Sequence, residues 1–222
     1  MRTTGDLGGA EGWGQVKTPT ADEPVFADRW ESRAFALALL SMGRVSGRNL
    51  DAFRHAQQRL KRPEYFDDTY YGQWLHAAEL MLVDSAILAP GAVEARARRL
   101  RGEDVEEPPV PEPNKPNYAP TGPGSLRSVD TPPRFAVGDA VRAKDMQPQG
   151  HTRLPHYLRG HRGVVDLVQP AAVLPDTHAH FLGENPQYVY TVGFGSRELW
   201  GPDAEPFRVH ADVFESYLEA AS

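Results

Sequence analysis

The chain contains no cysteine among its 222 residues. Disulfides, thiolate metal sites and cysteine nucleophiles within it are therefore excluded. It has no cationic excess either: 24 Lys and Arg stand against 30 Asp and Glu, a formal net charge of −6. A surface of that sign does not neutralise phosphates, so a nucleic-acid role is not expected. No apolar run approaches the roughly 18–20 residues that span a bilayer. Met1-Arg2-Thr3-Thr4-Gly5-Asp6 leads into glycines rather than the apolar core of a signal peptide. The expectation is a cytoplasmic protein with no membrane contact. Also missing are a Gly-rich phosphate loop, a nucleophile elbow and a convincing catalytic triad.

The residues that are present divide the chain into four stretches. Residues 1–27 hold five glycines and no periodicity, with Leu7, Trp13, Val16 and Phe26 spaced along them. Two readings are open: a frayed terminus, or an arm that orders on a partner's surface. Residues 28–101 read as helical. Trp30, Phe35, Leu37, Leu39 and Leu40 sit in a run ended by Gly43. Asn49 is a good cap for a second helix carrying Leu50, Phe53, Ala56 and Leu60, which Pro63 is expected to end. A third begins near Thr69, with Tyr71, Trp74, Leu75, Ala78 and Leu82 at helical spacing. Pro90 opens a short fourth, whose closing arginines suit the negative end of its dipole. Residues 102–133 hold nine prolines and read as a semi-extended linker.

Residues 134–222 read as short strands. Val137-Gly138-Asp139 turns into Val141–Lys144. Gly163 opens Val164–Val168, and Gln187–Phe194 alternates, with Tyr188, Tyr190 and Val192 on one face. Phe207–His210 supplies another strand. Val213, Phe214, Tyr217 and Leu218 end the chain as a helical turn. Five or so strands in this length predict a small SH3-like barrel. The fold class is α+β: an extended N-terminal arm, a helical N-terminal domain, a Pro-rich linker and a C-terminal SH3-like β-barrel.

Three groups of residues invite chemistry. Asp176-Thr177-His178-Ala179-His180 would put a carboxylate and two imidazoles on one face if extended. Pro175 before it and Gly183-Glu184-Asn185-Pro186 after it favour a solvated loop instead. His151-Thr152-Arg153, with His156, Arg159, His161 and Arg162 nearby, is either a solvated loop or an anion-binding or interface loop, because an arginine fork fits paired oxygens. Arg54 stands among apolar neighbours, either on a solvated flank or reaching a buried anion at an interface. On pattern alone Phe53, Tyr70 and Trp74 are ordinary core aromatics.

In chain order, several segments resemble the β subunits of nitrile hydratases. They are Gly5-Asp6-Leu7-Gly8-Gly9 with Gly12–Val16, Glu23-Pro24-Val25-Phe26 with Trp30-Glu31, Asn49–Arg59 (NLDAFRHAQQR) and Thr69–Leu75 (TYYGQWL). Beyond the linker come Phe135–Arg142 (FAVGDAVR), Gly150–Gly160 (GHTRLPHYLRG), Pro175-Asp176, Glu198-Leu199-Trp200-Gly201 and Glu215–Glu219. Each piece is short; the order and spacing make the set specific. Gln58 departs from a frequent glutamate, Gly72 from a larger residue and His156 from a frequent arginine.

The resemblance implies an enzyme that hydrates nitriles to amides and works only as a complex, with an arm that wraps an α subunit in an α2β2 assembly. It implies a metal held by α-subunit cysteines, two of them oxidised to sulfenic and sulfinic states, and none held by this chain. Trp74, Thr152 and Trp200 resemble the cobalt forms more than the iron forms, so Co(III) is expected there in preference to Fe(III). By resemblance the catalytic arginines are Arg54 and Arg153, which donate hydrogen bonds to the oxidised cysteine oxygens. Leu50, Phe53, Tyr70 and Trp74 line the apolar substrate pocket, and His151 matches a position just behind the reacting groups. The alternatives are a subunit related to thiocyanate hydrolase, against which the intact linker argues, a metallochaperone or activator resembling the helical half only, against which the barrel and the GHTR segment argue, and a non-enzymatic SH3-like adapter, which would need no partner.

Overall fold

A computed structural model of the chain describes residues 4–8, 12 and 14–221. Gly9 and Trp13 of the arm lie outside the described residues. The chain divides into two compact units. One is built mainly from residues up to Tyr118, the other from Ala119 onward with Asp6, Leu7 and Gly8.

The first unit is helical. Its elements are α1 (Arg29–Leu40), α2 (Leu50–Gln58), α3 (Arg62–Phe66), α4 (Tyr70–Asp84) and α5 (Ala92–Leu100). Glu31 closes the start of α1 by reaching back, its Oε2 accepting the Ala27 N–H at 2.6 Å. The α1 leucines do not form its packed face: Leu37, Leu39 and Leu40 are exposed, while Ala34 and Ala38 are buried. Small side chains recur where the helices meet. Ala38, Ala56, Ala77 and Ala78 pack with Phe53 and Met81, so the backbones approach closely.

A π turn at Ser41–Val45, with Gly43 at φ +64°, redirects the chain from α1 to α2. Arg48 holds that bend to the end of α4. Its Nε donates to Ser85 Oγ and its guanidinium to the Asp84 carbonyl, both at 2.8 Å. Ser85 in turn donates to the Ser46 carbonyl at 2.9 Å. Pro63 lies in the first turn of α3 rather than ending α2, which stops at Gln58. Proline suits that place because its missing N–H has no helical partner there. Pro90 stays outside α5, which Gly91 caps at φ +79°.

The second unit is an antiparallel sheet of β1 (Ala140–Ala143), β2 (Arg162–Ala172), β3 (Gln187–Gly195), β4 (Arg208–Phe214) and β5 (Leu218–Ala220), in the order β4-β3-β2-β1-β5. Two short helices interrupt it, α6 (Pro175–His178) and α7 (Ser196–Trp200). Val141, Leu158, Val165, Tyr190, Val192, Phe194, Val213 and Leu218 form its core. Leu218 belongs to a strand, not to a terminal helix; the helical turn is confined to Glu215–Tyr217. Only that turn joins the two edge strands. A flat sheet would hold its outer strands about 19 Å apart, whereas the steps from Phe214 to Leu218 reach at most about 14 Å. The sheet is therefore strongly curled.

The proline-rich stretch is tied down at intervals. The Asn114 N–H donates to the Ser85 carbonyl at 2.9 Å, within the helical unit. In the sheet unit Leu126 pairs with Ala172, and Arg127 forms an ion pair with Glu184 at 2.7 Å.

Candidate functional site

The expected site residues fall into two sets, one on each unit. On the helical unit, Asn49 Oδ1 accepts the Ala52 N–H at 2.8 Å and starts α2. That start puts Leu50, Phe53 and Arg54 on one face, at positions i, i+3 and i+4. Thr69 caps α4 in the same way, accepting the Gly72 N–H at 3.2 Å. Tyr70 and Trp74 then stand one turn apart.

The Trp74 ring meets Phe53 at 5.0 Å, Phe35 at 5.5 Å and Tyr70 at 5.8 Å. Phe53 is 1% exposed, while Leu50 and Tyr70 are 48% and 61% exposed. The four side chains thus grade from a buried wall to an open rim. The Trp74 Nε1–H is buried with no acceptor among the described residues. Such an unpaired buried donor is unusual in a protein interior. Arg54 donates to Asp51 Oδ1 at 3.1 Å, one turn back, and its side chain remains 42% exposed. Asp51 is buried, so the guanidinium is anchored at one edge.

On the sheet unit, His151 and Arg153 lie in an irregular loop between β1 and β2. His151 is 1% exposed, and its backbone N–H donates to His180 Nε2 at 3.0 Å. Gly150 makes that approach possible: a Cβ there would sit 2.4 Å from the same nitrogen. The Arg153 side chain is exposed, but its N–H donates to Tyr217 Oη at 3.2 Å. Tyr217 donates onward to Asp176 Oδ1 through a short hydrogen bond. The Thr152 hydroxyl is hydrogen-bonded to the same pair.

Burial pushes the Asp176 carboxyl above the usual range, and the hydrogen bonds from Tyr217 and Thr152 pull it partly back. Burial, followed by the neighbouring Asp176 charge, pushes the Tyr217 phenol well up, so it keeps its proton and acts as a donor.

Asp176–His180 is not the solvated loop that its flanking residues imply. Pro175 sits in the first turn of α6, which folds Asp176 inward onto Tyr217. Among the described residues no group of three or more acidic or imidazole side chains is placed to hold a metal ion. Part of the neighbouring cationic stretch is also committed within the chain. Arg159 is buried and donates to the Met146 and Leu154 carbonyls, each at 3.0 Å. The His156 N–H donates to the Asp6 carboxylate at 3.0 Å, and His161 faces Glu198 at 3.5 Å. The sequence offers Asp176 and Tyr217 as separate short segments; what joins them is a contact across 41 residues.

Two family models match the chain. The N-terminal domain of the nitrile hydratase β subunit matches residues 1–119, and its C-terminal domain matches 124–220. The chain is 39% identical over 220 residues to the nitrile hydratase subunit β of Pseudomonas putida, covering 97% of this chain and 98% of that one. It is 37% identical over 224 residues to the cobalt-containing nitrile hydratase subunit β of Pseudonocardia thermophila, covering 96% and 94%. The likeness to thiocyanate hydrolase subunit α of Thiobacillus thioparus is more limited: 34% identity over 92 residues, 40% of this chain and 72% of that one. Both halves match one subunit type in a single uninterrupted order, and the chain belongs to the nitrile hydratase β-subunit family.

Proposed function

We propose that this chain supplies the metal-free half of a site that hydrates nitriles to amides, in complex with an α subunit that carries the metal. The observation behind this reading is the likeness to nitrile hydratase β subunits along nearly the whole chain. The shorter match to thiocyanate hydrolase leaves that activity second. Relatives named as cobalt-containing favour Co(III) over Fe(III) in the partner. When bound, that ion supplies Lewis acidity toward the nitrile.

The rest is the work of this chain's side chains. Arg54 and Arg153 donate to the oxygens of oxidised partner cysteines. The two acceptor oxygens of a sulfinate match a guanidinium fork. Leu50, Phe53, Tyr70 and Trp74 form an apolar wall that excludes bulk water and holds the organic group of the substrate. His151 stands behind Arg153 and fixes the loop that carries it. Residues 1–27 act as the arm around the partner, residues 28–101 as the helical domain and 102–133 as the linker. Residues 134–222 form a curled SH3-like barrel, and the working assembly is α2β2 in the cytoplasm. The exposed Leu37, Leu39 and Leu40 support a partner that covers α1.

The test is co-expression with an α subunit and cobalt, purification of the complex, and an acrylonitrile hydration assay. Lysine keeps the charge of arginine but not its fork, so Arg54→Lys and Arg153→Lys should each lower kcat by roughly tenfold or more. A chain that purifies alone, binds no α subunit and hydrates no nitrile would overturn the reading.

A further inference from the structure

Three consecutive residues of one irregular loop are each held from below by a different polar contact. His180 Nε2 takes the His151 N–H at 3.0 Å. The Thr152 hydroxyl engages the Asp176–Tyr217 pair. Tyr217 Oη accepts the Arg153 N–H at 3.2 Å and donates its own O–H to Asp176 Oδ1. His151 and Tyr217 are 1% and 2% exposed, so this support lies inside the sheet unit while the Arg153 side chain stands outside it.

Packing does not require such an arrangement. A phenylalanine at position 217 would fill the same core, and a half-buried carboxylate at 176 costs desolvation that an apolar residue avoids. The phenol and the carboxylate together do something that packing does not: they give the Arg153 backbone a fixed acceptor. An irregular loop without its own ladder has few other ways to hold one residue in place.

We propose that Tyr217 and Asp176 are positioning residues for Arg153, acting through the hydrogen-bond chain Arg153 N–H to Tyr217 Oη to Asp176 Oδ1. This rests on the reading that Arg153 meets the reacting groups of the partner. Asp176 orients the phenol, the phenol orients the backbone of Arg153, and neither touches substrate. Reaction geometry tolerates little displacement, so loosening the loop lowers turnover more than it weakens substrate binding.

The experiment uses the assembled cobalt enzyme with Tyr217→Phe, Asp176→Ala, Asp176→Asn, Arg153→Lys and the double variant Arg153→Lys/Tyr217→Phe. Rates are expressed per assembled site, from subunit ratio and cobalt content, and thermal midpoints are recorded alongside. Tyr217→Phe and Asp176→Ala should lower kcat about tenfold with KM changed less than about twofold. Asp176→Asn, which keeps an oxygen for the phenol to donate to, should restore most of that loss. The double variant should be no slower than Arg153→Lys, because both changes remove the same function.

The inference is overturned if Tyr217→Phe leaves kcat intact while Arg153→Lys lowers it, or if the two losses multiply. Activity untouched by Arg153→Lys instead refutes the role given to Arg153 and takes this inference with it. Should Tyr217→Phe fail to assemble, the contrast between Asp176→Asn and Asp176→Ala decides: equal losses in kcat, or none in either, count against positioning.

Discussion

Asp68 sets its carboxylate over the point where a side chain at position 72 would begin: a Cβ on Gly72 would lie 2.1 Å from Asp68 Oδ1. The same carboxylate accepts the Thr69 N–H at 2.7 Å and faces His76 Nε2 at 3.0 Å. Gly72 is thus matched to the Asp68 carboxylate, which holds the capping residue Thr69 at the start of α4. Alanine normally favours a helix over glycine by about 1 kcal/mol. Here that gain should vanish, because Asp68 must give up its contacts. Gly72→Ala should leave the denaturant midpoint of the complex nearly unchanged, yet raise stability by about 1 kcal/mol in an Asp68→Ala background. Equal gains in both backgrounds would show that Asp68 and Gly72 are independent.

At the scale of elements, the proline-rich stretch is held by one ion pair where the sheet begins. Arg127 Nε and NH2 each donate to Glu184 at 2.7 Å, and Thr121 donates to the same carboxylate. Arg127 also reaches the Gly122 and Leu126 carbonyls at 3.1 Å and 2.7 Å. One side chain therefore closes the loop 121–127 and fastens it beside β2. The Arg127 guanidinium, with Thr121, holds the Glu184 carboxyl well below the usual carboxylate range. A depressed folded-state pKa means that the stabilisation is present above the unfolded value of about 4.3, and is lost as pH falls from there through the folded value. Glu184→Gln should lower stability by roughly 1–2 kcal/mol at neutral pH. The difference from the parent should shrink below about pH 4. A gap that stays constant across acid titration would contradict the ion-pair account.

For the molecule as a whole, the unpartnered apolar surface matters most. Val16 and Val25 are 88% and 77% exposed, and the exposed leucines of α1 add to them. A single subunit gains nothing from leaving them uncovered. Val16→Asp should cost the isolated chain almost no stability, since the side chain packs on nothing. It should sharply reduce co-purification with an α subunit, measured by pull-down at matched expression. Undiminished co-purification would place the arm off the partner. No helix among the described residues is long and apolar enough to cross a membrane, so these side chains do not belong to a membrane-spanning helix.

Much of this was legible in the chain itself. Asn49 and Thr69 announce the caps of α2 and α4, and the alternation over Gln187–Phe194 gives β3, because caps and side-chain periods are local properties. The order of short segments gives the family, and the lack of cysteine rules out a thiolate metal site in this chain. Other features depend on partners distant in sequence. Alanines rather than leucines carry the packed face of α1, because helix spacing rather than hydrophobicity selects the contact. The helical turn of Pro175–His178, the meeting of Asp176 with Tyr217 and the curl that brings β4 and β5 near each other are long-range effects. A carboxylate reads as solvated until the fold decides what is buried around it, and that decision belongs to the tertiary structure.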